Sequence, residues 1–176
     1  VVVRSNWMPY WPKFMPGAHV FPGGGLDPAD SSPEMQAMCV GLEDAVASRT
    51  LGIERGGLAY WIAAIREAFE EAGILLAYDA AGGIVDTGGE AARRFGGHRR
   101  TLDHRHGDFG AIMQREGLRL AADRLLYFGH WITPVGGPRR YDTRFFLAVA
   151  PERQEARHDD RETIAHPWLR PAQALD

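Results

Sequence analysis

Apolar positions along the chain follow two periods. The clearest is helical. Ile62, Ala63, Ile65, Phe69 and Ala72 recur so as to line one side of a helix over Leu58–Ala72. Gly73 closes that helix as the residue past its last turn. Upstream, Ser31-Ser32-Pro33-Glu34 combines an N-cap with a first-turn proline. Met35, Met38, Cys39, Leu42 and Val46 follow it at helical spacing and read as a core-facing stripe. Strand-sized runs occupy Val1–Arg4, Ala18–Phe21, Ile74–Tyr78, Ile84–Asp86, Leu125–Ile132, Arg144–Ala150 and Thr163–Leu169. Leu125–Ile132 is expected to be buried, to end in the Pro134–Pro138 turn and to pair with Arg144–Ala150. Ser5–Pro16, rich in Trp and Pro, reads as a loop. Pro22–Gly25 reads as a turn where backbone can approach a ligand with no side chain between. Thr87–Glu116 is predicted to be mostly helical, and Pro171 opens a final helix.

This mixture of elements predicts one α/β domain over all 176 residues, with a helical insertion at about 31–57. The chain opens at Val1-Val2-Val3 without Met and stops at Asp176, so it reads as part of a longer protein or one with flexible ends removed.

Composition narrows the classes. The chain is 45% hydrophobic and 24% charged, enough for a real core. No apolar run approaches the ~20 residues of a membrane span, and no signal peptide is visible, which speaks against a membrane partner. The single Cys39 excludes an internal disulfide and a cysteine-based zinc site, and fits a reducing, cytoplasmic setting. A net charge of −3 argues against a nucleic-acid scaffold. The middle of the chain is rich in Arg and His: Arg93, Arg94, His98, Arg99, Arg100, His104, Arg105 and His106. That run reads first as a solvated charged face, with contact to a substrate phosphate as the alternative. His104 and His106, two apart, lack the geometry of a metal pair.

The candidate chemistry lies in Arg66-Glu67-Ala68-Phe69-Glu70-Glu71-Ala72-Gly73-Ile74. In a helix, Glu67, Glu70 and Glu71 stand at i, i+3 and i+4 and share a face. Like charges so placed repel, and a hard divalent cation that takes oxygen ligands offsets the repulsion. Arg66, one turn before Glu70, can neutralise and orient the cluster.

Arg66–Ile74 resembles the second half of the signature of the nudix hydrolases. Phe21-Pro22-Gly23-Gly24 is similar to the way its first half opens. From Gly24 the acid position of the pattern falls on Asp30, but 35 residues separate Asp30 from Arg66, about 28 more than the family's spacing. The box therefore reads as split by an insertion. Phe14–Gly24 with Leu26-Asp27 and Asp30-Ser31-Ser32, and the later blocks His130–Pro134 and Pro138–Ala148, resemble the branch typified by the peroxisomal coenzyme A diphosphatase nudix motif 19.

The resemblance implies an α/β/α nudix sandwich around a mixed sheet. It also implies cleavage, dependent on Mg²⁺ or Mn²⁺, of the diphosphate of coenzyme A or an acyl-CoA. The products would be 3′,5′-ADP and (acyl-)4′-phosphopantetheine. Other nucleoside diphosphate substrates, such as ADP-ribose, NADH or dinucleoside polyphosphates, and a catalytically silent binding module are the alternatives. On this reading Glu67, Glu71 and Glu70 hold metal and Arg66 holds the glutamates. Glu67, or second Glu162, takes the proton of the attacking water. Gly23 and Gly24 lie beside the acidic helix, and Arg144 and Arg139 meet phosphate. A homodimer, and a peroxisomal location in a eukaryote, are further expectations.

Overall fold

The protein is described from a computed structural model, whose described residues are 2–6 (backbone), 21–103, 107–136, 140–157, 168 and 170–174. We label the helices α1 (Pro33–Ala37), α2 (Asp44–Leu51), α3 (Leu58–Ala72), α4 (Ala92–Asp103) and α5 (Phe109–Glu116). The strands are β1 (Val2–Asn6), β2 (Gly23–Gly25), β3 (Ala77–Tyr78), β4 (Arg119–Leu120), β5 (Leu126–Ile132) and β6 (Asp142–Leu147).

The acidic helix, α3, has the bounds that its apolar period predicts, and the fold is built on it. Every residue from Leu58 to Ile65 is buried. Gly73, at φ 71°, ends the helix in a left-handed turn. The start of α3 has no capping side chain of its own. Asp44 and Ser48, both on α2, supply it: Leu58 N donates to Asp44 Oδ1 (2.9 Å), Gly56 N to Asp44 Oδ2 (3.0 Å) and Gly57 N to Ser48 Oγ (2.9 Å). A side chain at Gly57 would run into the backbone of Ala47 and Ser48, so glycine is what lets the two helices approach. The insertion thus holds the N-terminus of α3.

The insertion is not one stripe. It breaks into α1 and α2 because the chain between them joins a sheet: Leu120 N donates to Met38 O and Val40 N to Leu120 O, both at 2.9 Å. Gly41, at φ 73°, then turns it toward α2. Val46, expected in the core, is exposed, whereas Met35 is buried.

The main sheet has the order β2-β1-β6-β5, with β1 parallel to β2 and the other pairs antiparallel. It is a mixed sheet, as expected. Gly23–Gly25, expected as a turn, is a strand: three glycines pair with Arg4–Asn6 instead of reversing the chain. β1 extends to Asn6, two residues into the expected loop. Leu125–Ile132 does pair with the following strand, but among the described residues β5 is the outer strand of the sheet and is largely exposed, only Leu125 just before it being buried. Leu126, Phe128, Trp131 and Ile132 all face solvent, and the register shifts around Phe128. On β6, Phe146 turns toward α3 and packs on Trp61, with ring centroids 4.8 Å apart. Phe145 turns the other way, toward Phe21 (6.2 Å) and Phe128 (6.1 Å).

Of Ile74–Tyr78 only Ala77–Tyr78 is strand, paired with β4. Leu75 is held by a side chain instead, its N–H donating to Gln154 Oε1 and its C=O accepting from Gln154 Nε2. Ile84–Asp86 contributes one bridge, Ile84 to Tyr78, not a strand. Among the described residues, Thr87–Glu116 is mostly helical as expected, in α4 and α5. The final helix at Pro171 is a single 3₁₀ turn, Pro171–Ala174. The expected strands Ala18–Phe21 and Thr163–Leu169 lie largely outside the described residues. Phe21 and Trp168, which are described, belong to no strand. No described helix is long and apolar enough to cross a membrane.

Candidate active site

The last two turns of α3 carry Glu67, Glu70 and Glu71, and β2 runs beside them. Gly23 N donates to Glu71 Oε2 at 2.8 Å. Gly24 lies against the Glu67 carboxylate so closely that a Cβ there would overlap it. Two of the three carboxylates are therefore placed by a strand that has no side chains to interpose. Glu67 is 9% exposed despite its charge.

Arg66 resolves the repulsion. Its Nη1 donates to Glu67 Oε1 (2.7 Å) and Glu70 Oε1 (3.3 Å), and Nη2 donates to Gly25 O (2.9 Å). The other edge of the guanidinium meets Asp30 in a two-bonded fork, Nε to Oδ1 at 3.1 Å and Nη2 to Oδ2 at 3.0 Å. Burial alone would pull the guanidinium's pKa down. Glu67, Asp30 and Glu70 outweigh it and hold the group well above its ordinary value, so Arg66 is permanently cationic.

Asp30 is 2% exposed and sits in the 3₁₀ turn Pro28–Ser31. That turn is fixed by a capping box, with Ala29 N donating to Asp27 Oδ1 and Asp27 N to Asp30 Oδ2, both at 2.8 Å. The acid that sequence places on the far side of the insertion from Arg66 thus meets it directly.

At the C-terminal end of α3, Arg99 donates from Nε to Glu70 O and from Nη2 to Glu71 O, each at 2.6 Å. It satisfies helix-end carbonyls beneath the glutamates. Arg99 is not on the solvated face that the Arg/His run suggested. Arg94 and His98 are also engaged, with Glu116 of α5, at 2.9 and 2.8 Å. These roles, and the caps from Asp44 and Ser48, had no local sequence signal, because each partner lies on another element.

Arg144 is on β6, 5% exposed, and does not touch the glutamates. Its Nη1 meets Asp142 Oδ1 at 2.9 Å, and its guanidinium carbon lies 4.3 Å from the centre of the Tyr60 ring. Arg139 and Glu162 lie outside the described residues, as do His104, Arg105 and His106. A surface hollow of about 600 Å³ is lined by Gly88, Gly89, Glu152, Arg153, Gln154, Glu155, Ala156 and Trp168 and includes none of the glutamates.

The donors suit a hard divalent cation, since all are carboxylate oxygens. Among the described residues no three acidic, histidine or cysteine side chains converge closely enough to hold an ion alone. An ion here would complete its shell with water and substrate oxygens, which is the habit of Mg²⁺.

Comparison with known proteins shows which family the chain resembles. Residues 44–176 match the family model of the NUDT19 Nudix domain. The chain is 35% identical over 200 residues to the acyl-coenzyme A diphosphatase NUDT19 of Gallus gallus, covering 93% of this chain and 52% of that one. It is 32% identical over 198 residues to the protein of the same name from Homo sapiens, with the same coverage. A putative nudix hydrolase 7 of Caenorhabditis elegans is 27% identical over 164 residues, covering 93% of this chain and 45% of that one. The chain spans about half the length of these relatives. Among solved structures, a nudix hydrolase from Alicyclobacillus acidocaldarius superposes with a TM-score of 0.65 at 28% identity, over 93% of this chain and 67% of that one.

Proposed function

Since this chain belongs to the nudix hydrolases, in the family of the NUDT19 Nudix domain, we propose that it hydrolyses the diphosphate link of coenzyme A or an acyl-CoA, releasing 3′,5′-ADP and (acyl-)4′-phosphopantetheine. The observation that carries this reading is the Asp30–Arg66–Glu67–Glu70 network closed against the glycine strand. A module that only bound a partner would have no use for three carboxylates held so close together at a cost in repulsion.

Glu67 and Glu71, with Glu70 assisting, are the residues that would hold Mg²⁺ or Mn²⁺. When bound, the cation supplies charge neutralisation at the diphosphate oxygens and acidifies water. The protein supplies the rest. Arg66, hydrogen-bonded to Glu67 and Glu70, fixes both carboxylates in direction. Gly23 and Gly24 keep the wall opposite free of side chains, so a diphosphate can lie along the helix. Glu67 takes the proton of the attacking water at a carboxylate oxygen, with Glu162 as the second choice. Arg144 and Arg139 meet phosphate oxygens of the substrate.

The test is a panel of diphosphates (coenzyme A, acyl-CoA, ADP-ribose, NADH and a dinucleoside polyphosphate) with Mg²⁺ and with Mn²⁺, the products identified by mass. Release of 3′,5′-ADP is the expected outcome. AMP from ADP-ribose or NADH with coenzyme A untouched would move the assignment to another nudix substrate. No product from any of them would leave a binding module.

A further inference from the structure

Away from the glutamates, one cluster has unspent hydrogen-bonding capacity. Arg144 is buried, and within the described protein its guanidinium makes a single hydrogen bond, Nη1 to Asp142 Oδ1. Its Nε is buried with no partner at all. A guanidinium has five N–H donors, and leaving them unpaired away from water is costly. The group is nonetheless rigidly held. Its guanidinium carbon lies over the Tyr60 ring, 4.3 Å from the centre, and its one carboxylate is itself fixed: Asp142 Oδ1 also pairs with His130 Nε2 at 2.5 Å. The β5–β6 register places His130 opposite Arg144, so both point to the face that carries Tyr60. A cation fixed in direction with donors to spare is a receptor for an anion.

The sheet shows where that anion would be. Arg144 pairs with Ser5, and Ser5 pairs with Gly24, the residue lying against Glu67. Arg144 and Gly24 are therefore in one row, two strand spacings or about 10 Å apart. Tyr60 and Glu67 are two helical turns apart on α3, also about 10 Å. A single diphosphate held by the glutamates does not span that gap. We propose that Arg144, stacked on Tyr60 and braced by Asp142 and His130, forms a second anion subsite that reads a phosphate monoester carried by the substrate away from the bond that is cleaved. Resting on the reaction proposed above, that group is the 3′-phosphate of a coenzyme A-type substrate, which ADP-ribose, NADH and simple dinucleoside polyphosphates lack. Asp142 and His130 are positioning residues here. Among the described residues, the charged and titratable groups beside the guanidinium are Asp142 on β6, His130 opposite it on β5 and Tyr60 on α3.

The experiment is calorimetric binding of 3′,5′-ADP and of 5′-AMP, which differ only in the 3′-phosphate, so turnover is not needed. The wild-type protein should bind 3′,5′-ADP at least tenfold more tightly. Arg144→Met should reduce that ratio to twofold or less. His130→Ala should reduce it several-fold, while His130→Gln, which keeps a donor at the place of Nε2, retains most of it; a merely structural histidine would show no such rescue. Should Arg144→Met fail to fold, Arg144→Lys, which keeps the charge and loses the planar fork, is read the same way. A wild-type ratio below twofold, or a ratio that survives loss of the guanidinium, overturns the subsite. A tenfold ratio without any hydrolysis of coenzyme A would instead sink the proposed reaction and leave the subsite standing.

Discussion

At the scale of single residues, the site rests on one cation and one missing side chain. Arg66 is shared among Glu67, Glu70, Asp30 and the Gly25 carbonyl. Removing Asp30 leaves a buried guanidinium with half its fork unpaired. Asp30→Ala should therefore cost about 3 kcal/mol of stability, at the low end for a broken buried pair because the glutamates remain. Urea denaturation measures it, and a loss under about 0.5 kcal/mol would show that the fork contributes little. Gly24→Ala puts a methyl group where the Glu67 carboxylate sits. Turnover should fall at least a hundredfold while the circular dichroism spectrum stays unchanged, and an active Gly24→Ala enzyme would mean that Glu67 is free to move aside. Glu71→Gln removes one charge and no bulk. It should abolish turnover in a protein that still melts cooperatively; near-normal turnover would refute the metal role given to Glu71.

At the scale of elements, α3 is a helix held at both ends by others. Asp44 accepts N–H groups from Leu58 and Gly56, and Arg99 donates to the carbonyls of Glu70 and Glu71. Burial would raise the pKa of Asp44, but the bonds from Leu58, Gly56 and Ser48 outweigh it and hold the carboxyl below its usual range. Glu116 is likewise held low: burial works against it, and His98 and Arg94 prevail. A depressed carboxyl stabilises the fold above its unfolded pKa, about 3.9 for Asp and 4.3 for Glu. That contribution is lost as pH falls through the lower folded value. Acidification below about pH 4 should therefore lower Tm, and Asp44→Asn should flatten that limb at the cost of a cap worth about 1 kcal/mol. A melting curve of Asp44→Asn that falls with acid as steeply as the wild type would remove Asp44 from this account. The insertion that carries Asp44 interrupts the sequence motif and supports its helix.

At the scale of the whole molecule, the fold brings Gly23–Gly25, Asp30 and α3 together across an interruption that the chain has to loop around. Mn²⁺ in hundredfold excess over its Kd should stabilise the native state by about 2.7 kcal/mol, several degrees of Tm for a domain of this size. Glu71→Gln should show no such shift, and an equal shift in that variant would place the ion elsewhere. What the sequence determined by itself is local. The bounds of α3, the shared face of its glutamates and the glycine that ends it follow from period and spacing, because a helix makes near neighbours out of residues three and four apart. The family resemblance added Asp30 as the acid position of the split motif, which no period reveals; that its carboxylate meets Arg66 was decided by the fold. Tertiary structure alone decided the rest. A glycine run became a strand because β1 offered it a ladder. A single apolar stripe became two helices because β4 took the residues between them. β5 became the outer strand among the described residues because only β6 pairs with it there, and its own composition does not say how many neighbours it will have. Arg99, Asp44 and Arg144 meet Glu70, Gly56 and Tyr60, 12 to 84 residues away, and such contacts exist only once the chain has folded back on itself.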